Sequence, residues 1–118
     1  MPALSDIGKY RRLTELFVLT MKVDPVISAT KNEAAIDCLS EHGLNHREAE
    51  QMLDEAFEKF EKGMVRSPDM TLKDVRTFFR KRDHGFLLSQ LQAILEAGQI
   101  TGNSQQFFDL CCDYLYTE

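Results

Sequence analysis

The stretch formed by residues 16–33 constrains the fold more than any other part of this sequence. It reads LFVLTMKVDPVISATKNE, in which an apolar run with helical spacing ends at an Asp-Pro turn and a second helical pattern follows Ser28. The first helix has to end near Asp24, because a residue before proline is disfavoured in the α region. A weaker echo, LLSQLQAILEAGQITGNSQQ, occupies residues 87–106. The sequence predicts two helix–turn–helix units, which are either a pseudo-repeat or a chance product of helical periodicity.

Length and composition are those of one globular domain covering residues 1–118. The chain has 118 residues, of which 43% are hydrophobic and 28% are charged, and single domains typically have this size and composition. Apolar residues recur at spacings of three and four, whereas no segment alternates with the two-residue period of a strand. We therefore expect an all-α fold, a compact bundle of about six helices.

The starts of the third and fourth helices carry local signals. Asn45 followed by Glu48 has the spacing of a capping box, in which each residue satisfies a backbone N–H group of the other. The Ser-Pro-Asp sequence at residues 67–69 is interpreted as a loop. Thr71 with Asp74 is interpreted as the start of the fourth helix.

The charge of the chain argues against a nucleic-acid partner. The net charge is -5, and nucleic-acid binding needs a basic patch that neutralises phosphates. The single basic cluster, Arg-Lys-Arg at residues 80–82, is short and lies between Asp74 and Asp83. We interpret this cluster as the solvated end of a helix.

Neither a targeting segment nor a membrane span is evident. The first residues, MPALSDIGKYRR, lack the apolar core of a signal peptide, and the apolar run at residues 16–19 is too short to cross a bilayer. The three cysteines, an odd number, do not form a disulfide framework. We expect a cytoplasmic protein with reduced cysteines that does not insert into membranes.

Two groups of residues resemble reactive sites. Cys38, His42 and His46 follow one another at four-residue spacing, and cysteine and histidine are zinc ligands. Gly43 interrupts the helix between the histidines and no fourth ligand is near, so a core cysteine with surface histidines is the preferred interpretation. The Cys-Cys pair at residues 111–112 has two acidic neighbours that oppose a thiolate, which favours packing over redox chemistry. No catalytic motif is found, and we expect a protein that is not an enzyme.

Two adjacent pairs of phenylalanines are candidates for an interaction surface. They are Phe78 with Phe79 and Phe107 with Phe108. Two neighbouring helical residues do not point into one apolar stripe, so one of each pair lies at a helix junction or is exposed. An exposed pair would mark a docking or dimer surface, and core packing is the alternative.

With the turns placed, the chain resembles the TerB-like (tellurite-resistance B) helical family over residues 10–116. The first unit reads VDPVIS at residues 23–28 and is followed by Glu33; the middle segment reads HGLNHREAE at residues 42–50; the second unit reads EAGQIT at residues 96–101. The family pattern is an apolar helix ending in an Ala-Asp-Gly-x-Ile-type turn, then an acidic helix start, with this unit recurring near the C-terminus.

The resemblance implies a divalent-metal site on these turns. It places Asp24 and Glu33 in that site, and it implies a metal-binding or tellurite-stress-response protein. In the second unit Ala97 stands at the aspartate position, and Gln105 and Gln106 stand where acidic residues follow in the family. The leading hypothesis is therefore a non-enzymatic helical module without a cofactor that binds a protein partner or itself. The metal-binding protein is the alternative, and an enzyme is a more distant one.

Overall fold

The computed structural model describes residues 4–23, 29–98 and 101–115. Within these ranges it contains helices and no strand, so the prediction of an all-α bundle is confirmed. The predicted turn at Asp24 and Pro25, with the cap at Ser28, lies outside the described residues. The elements are α1 (Leu4–Met21), α2 (Ala29–Ser40), α3 (His46–Glu61), α4 (Pro68–Phe78), a 3₁₀ turn (Lys81–Asp83), α5 (His84–Glu96) and α6 (Gly102–Leu115).

Helix α1 forms the centre of the bundle and contacts α2, α3, α4 and α5. Leu16, Phe17 and Val18 are consecutive and fully buried, so this helix is apolar on more than one face. Two of the polar residues buried in this helix, Thr14 and Thr20, donate their hydroxyl hydrogens to backbone carbonyls one turn earlier at 2.7 Å. Polar side chains are thereby satisfied inside the apolar core.

The capping box that begins α3 is confirmed. Asn45 Oδ1 accepts from the Glu48 backbone N–H at 2.8 Å, and Glu48 Oε1 accepts from the Asn45 backbone N–H at 3.1 Å. Before this box, Gly43 has a φ of 95°, a left-handed conformation that glycine adopts without the strain of a side chain. The chain therefore turns between α2 and α3 over only five residues.

The predicted start of α4 at Thr71 is wrong. The helix begins at Pro68, with Ser67 as its N-cap accepting from the Met70 N–H at 3.4 Å. Proline is well suited to the first helical position because its missing N–H would have no helical partner there. Thr71 is instead a buried residue of the first turns, and Asp74 pairs with Arg66 at 2.8 Å.

The α4–α5 corner comprises residues 78–86, from the last residue of α4 through the 3₁₀ turn to the first residues of α5. Phe79 has an extended backbone that ends α4, and the 3₁₀ turn leads directly into α5. His84, the first residue of α5, is buried and its Nε2 lies 3.0 Å from the Phe79 carbonyl oxygen. This contact fixes the end of α4 against the start of α5.

In the second helix–turn–helix unit, Gly98 after α5 approaches α2 closely. Gly98 lies against the side chain of Lys31 from the first turn of α2, and a Cβ atom at this position would collide with that side chain. Ser104 donates its backbone N–H to the Thr101 hydroxyl at 3.2 Å near the start of α6. The structural relation of this unit to the first one stays a prediction.

Candidate binding site at the α4–α5 corner

The core of the site is His42, which follows the end of α2. Helix α2 closes with tight turns, in which the backbone N–H of His42 donates to Leu39 and that of Gly43 donates to Ser40. The Cys38 carbonyl is satisfied from α5 instead, by the side-chain amide of Gln90 at 3.0 Å. Because the amide nitrogen is used in this way, the Gln90 Oε1 atom faces His42 and accepts from its Nε2 at 2.8 Å.

Three aromatic rings surround the imidazole of His42. The ring centroids of Tyr10, Phe79 and Phe86 lie 5.7, 5.8 and 5.6 Å from it. The Tyr10 hydroxyl also donates to the His42 carbonyl oxygen at 3.3 Å. Residues from α1, the end of α2 and the α4–α5 corner thus position one imidazole, and Gln90 of α5 sets its orientation.

Burial lowers the pKa of His42 below its usual value. The hydrogen bond to Gln90 and the charges of Glu41 and Asp83 act in the opposite direction, whereas the charge of Lys9 adds to the lowering. The imidazole is therefore neutral near pH 7, with its hydrogen on Nε2 where Gln90 accepts it. Nδ1 is left as a hydrogen-bond acceptor.

The Nδ1 atom of His42 is accessible from outside. Among the side-chain nitrogen and oxygen atoms of the described residues, the Nδ1 of His84 is the one that is both buried and without a hydrogen-bond partner. The His42 side chain is hydrogen-bonded through Nε2, and no hydrogen bond within the described residues reaches its Nδ1, so Nδ1 is at least partly accessible to solvent. His42 lines a pocket of about 230 Å³ together with Lys9, Tyr10, Phe79, Asp83 and Phe86.

The charged residues of this pocket are Lys9 and Asp83. The Lys9 ammonium lies 5.3 Å from the ring centroid of Tyr10 and 5.1 Å from that of Phe79, within the range of a cation–π contact. The pocket therefore combines aromatic walls with an ammonium group, a carboxylate and a neutral imidazole acceptor.

The α4–α5 corner, whose Phe86 also lines the pocket, exposes aromatic and basic side chains together. Phe78 is 50% exposed and Phe86 is 42% exposed. Arg80, Lys81 and Arg82 are exposed, and within the described part of the chain their side chains form no ion pair or hydrogen bond. The corner is a basic, aromatic surface in a chain whose net charge is -5.

The predicted phenylalanine pairs occupy different environments. The structure differs from the surface prediction at Phe79, which is 6% exposed because its ring packs beside Tyr10 and His42. Phe107 and Phe108 on α6 are both half-buried, and Phe107 packs against the core. Phe78 is the exposed member of its pair.

The residues of the predicted zinc site do not come together among the described residues, and the predicted metal site has only Glu33 within them. Glu33 is exposed on α2, and Asp24 lies outside the described residues. His42 pairs with Gln90, whereas His46 pairs with Glu50 at 2.8 Å. In residues 4–23, 29–98 and 101–115, no group of three or more histidine, cysteine or acidic residues is arranged to hold a metal ion.

The cysteines lie where the thiol is favoured over the thiolate. Burial raises the pKa of Cys38 to about 12, and burial likewise raises the pKa of Cys111 to about 12. Burial, followed by the charges of Asp109 and Asp113, raises the pKa of Cys112. These directions agree with cysteines that pack as small hydrophobic residues.

The pocket around His42 was not predicted from the sequence, although one residue signals it. Leu87, Leu91 and Ile94 form the buried stripe of α5, and Gln90 occupies a position of the same stripe. A glutamine at a core position needs hydrogen-bond partners, which the structure supplies from the end of α2. Tyr10 and Phe86 carry no such signal, because each looks like an ordinary apolar position.

Comparisons of this chain with models of known protein families, with curated proteins and with solved structures find no match. The resemblance to the TerB-like family therefore stays a hypothesis based on its short motifs. Of the helices in the described part of the chain, none combines the length and the apolar character needed to cross a membrane.

Proposed function

We propose that this protein is a non-enzymatic helical module that binds a protein partner through the α4–α5 corner. The observation that carries the proposal is the exposure of Phe78 and Phe86 beside three basic side chains. Interfaces bury aromatic side chains at their centre and use charges at their rim to select and orient the partner. The corner has both components within a few residues of chain.

The charges of the corner favour a partner segment that is acidic. The basic residues 80–82 are accompanied by Asp83 as the one acidic residue of the corner. Their side chains make no ion pairs within the described residues, so an acidic segment would not have to displace an existing contact there. An acidic segment with an apolar side chain among its carboxylates is the chemistry that fits this surface.

A symmetric dimer through the corner is disfavoured by the same charges. Two copies related by a twofold axis bring the same patch together, so a surface with three basic residues and one acidic residue would meet another of the same composition. Like charges at an interface oppose association unless other contacts compensate. We therefore propose a different protein, and not a second copy of this chain, as the partner.

The test measures binding of a short labelled peptide in which a tryptophan stands between acidic residues, by fluorescence anisotropy. We expect the R80E/R82E variant to weaken binding at least about tenfold, because it reverses two charges that face the peptide. The matched control is R11E/R47E, which reverses two exposed arginines on α1 and α3 and changes the net charge by the same amount. This control should change the affinity by less than about threefold.

Two results of the peptide measurement would contradict the proposal, and a third result would locate any self-association. Equal losses in the two variants would mean that the peptide responds to the net charge and not to the corner. Binding that is unchanged in R80E/R82E would place the peptide elsewhere on the protein. A dimer of the wild-type chain in light scattering that R80E/R82E does not dissociate would place self-association on another surface.

A further inference from the structure

We infer that the pocket around His42 is the anchor position of this interface and receives a tryptophan or tyrosine side chain of the partner. The inference rests on the proposed function, and it specifies which side chain of the acidic segment enters the protein. Its basis is the juxtaposition of one oriented imidazole acceptor with three aromatic rings at the edge of the basic corner.

The hydrogen-bonding capacity of His42 selects the kind of side chain. Gln90 uses its amide nitrogen for the Cys38 carbonyl, so its oxygen holds the Nε2 hydrogen of His42. Nδ1 remains as an acceptor, and in the proposed complex the bound side chain donates to it. An indole N–H or a phenol O–H donates to such an atom, and these groups usually find a hydrogen-bond partner when they are buried. Phenylalanine and leucine carry no donor and would leave Nδ1 covered but unpaired.

The size of the pocket favours one side chain over a metabolite. Its volume of about 230 Å³ is below the range of roughly 300–1,000 Å³ that is typical of small-molecule sites. Its walls include Tyr10, Phe79 and Phe86, and an aromatic side chain packs on such rings at their edges or offset faces. The half-exposed ring of Phe86 would be covered by the anchor.

The charge inside the pocket argues against a cationic anchor. Aromatic cages bind ammonium groups through the faces of their rings. Here the ammonium of Lys9 already lies near the rings of Tyr10 and Phe79. These rings are therefore already in contact with a cation, and a lysine or alkylammonium group entering the pocket would add a second cation to a lining whose one carboxylate is that of Asp83. A neutral donor on an aromatic ring, flanked by acidic residues, satisfies the pocket and the corner together.

The experiment uses three probes of the pocket itself: indole, 1-methylindole and toluene. Binding is followed by NMR on the full chain, with the imidazole nitrogens of the ¹⁵N-labelled histidines as the readout. We expect indole to shift the Nδ1 resonance of His42 and to bind about two- to tenfold more tightly than 1-methylindole, which is the range for one net hydrogen bond. His46, which pairs with Glu50 on α3, is the internal control and should not respond.

Two variants separate the walls from the acceptor. Phe86→Ala removes a half-exposed wall and should weaken indole and toluene alike, whereas His42→Phe should weaken indole and leave toluene binding nearly unchanged. Phe108→Ala, on α6, is the matched control and should change neither. A thermal melt of each variant verifies that it is folded, and the Phe86→Ala result remains decisive if His42→Phe does not fold.

A pH titration adds a readout that steric effects do not produce. When His42 is protonated, Nδ1 carries a hydrogen and is no longer an acceptor. The ratio of the affinities for indole and 1-methylindole should therefore fall toward one as the pH falls through the lowered pKa of His42. The groups that act on this imidazole are Glu41, Lys9, Asp83 and the Gln90 amide. A preference that is constant across this range would overturn the role of Nδ1.

The outcomes distinguish this inference from the proposed function. Equal affinities for indole and 1-methylindole at neutral pH would overturn the donor requirement. Absence of any response at His42 to all three probes would overturn the pocket as an anchor position. In either case the proposed function is decided separately, by the effect of R80E/R82E on binding of the acidic peptide.

Discussion

The outer face of α3 and the α4–α5 corner are both charged surfaces, but they differ in how the charges are used. On α3 part of the charges are paired: His46 lies 2.8 Å from Glu50, and Lys62, just after the helix, lies 2.8 Å from Glu58. In the corner, the side chains of residues 80–82 make no such pairs within the described part of the chain. The first surface pairs some of its charges locally, whereas the second leaves all three of its cations to solvent or to a partner.

The aromatic residues of the two surfaces differ in the same way. Phe57 and Phe60 on α3 pack against the core and are not among the exposed aromatic residues. The Lys22 ammonium lies 5.8 and 5.1 Å from their ring centroids. Phe78 and Phe86 in the corner are about half exposed. An aromatic ring that is already covered contributes to stability, whereas an exposed ring has apolar area left to bury on binding. This difference is why the interface is proposed at the corner and not on the larger charged face of α3.

The largest effect is expected from two neighbouring residues of the corner with opposite environments. Phe79→Ala should lower the free energy of unfolding by about 3–5 kcal/mol, because it removes a buried ring that packs on Tyr10 and His42. Phe78→Ala should change it by less than about 0.5 kcal/mol, because that ring is half exposed. Chemical denaturation of both variants measures the difference. Similar losses would show that Phe78 is also a packing residue, and the corner would then lose its main aromatic group.

The general fold was accessible from the sequence because helical periodicity and capping are local. The six α-helices found among the described residues and the Asn45–Glu48 capping box follow from residues a few positions apart. The start of α4 was predicted wrongly because a Ser-Pro pair is compatible both with the start of a helix and with a loop that ends one.

The pocket could not be predicted, for a different reason. It combines Tyr10, His42, Phe86 and the orienting Gln90, which come from separate helices and connections. Nothing in the sequence indicates that these four residues meet, since that depends on how α1, α2 and α5 pack. Gln90 alone signals a polar contact, through its position in the apolar stripe of α5. The exposure of Phe78 rather than Phe79 likewise depends on where α4 ends.

A smaller change in the free energy of unfolding is expected from the N-caps of α3 and α4, the helices that carry the two surfaces. Asn45→Ala should lower the free energy of unfolding by about 1 kcal/mol, because it removes the cap of α3 and half of a reciprocal capping box. Ser67→Ala should cost less, because its bond to the Met70 N–H is long at 3.4 Å and Pro68 already favours the helical conformation. Thermal or denaturant unfolding measures both variants. A larger loss for Ser67→Ala would mean that α4, and with it the corner, depends more on its cap than α3 does.

The smallest effect is expected from divalent cations, which test whether any acidic surface of the protein is a metal site. Most carboxylates of α3 are exposed and three of them already pair, with His46, Lys62 and Lys22, whereas Ca²⁺ typically takes six to eight oxygen ligands. Adding calcium, magnesium, manganese or zinc in turn should leave the melting temperature unchanged, because an ion raises it only by binding the native state in preference to the unfolded one. A rise with one ion that Asp24→Asn and Glu33→Gln both abolish would support the metal-binding alternative. A rise that these variants leave intact would place the ion on another acidic surface, and charge reversals on α3 would then locate it.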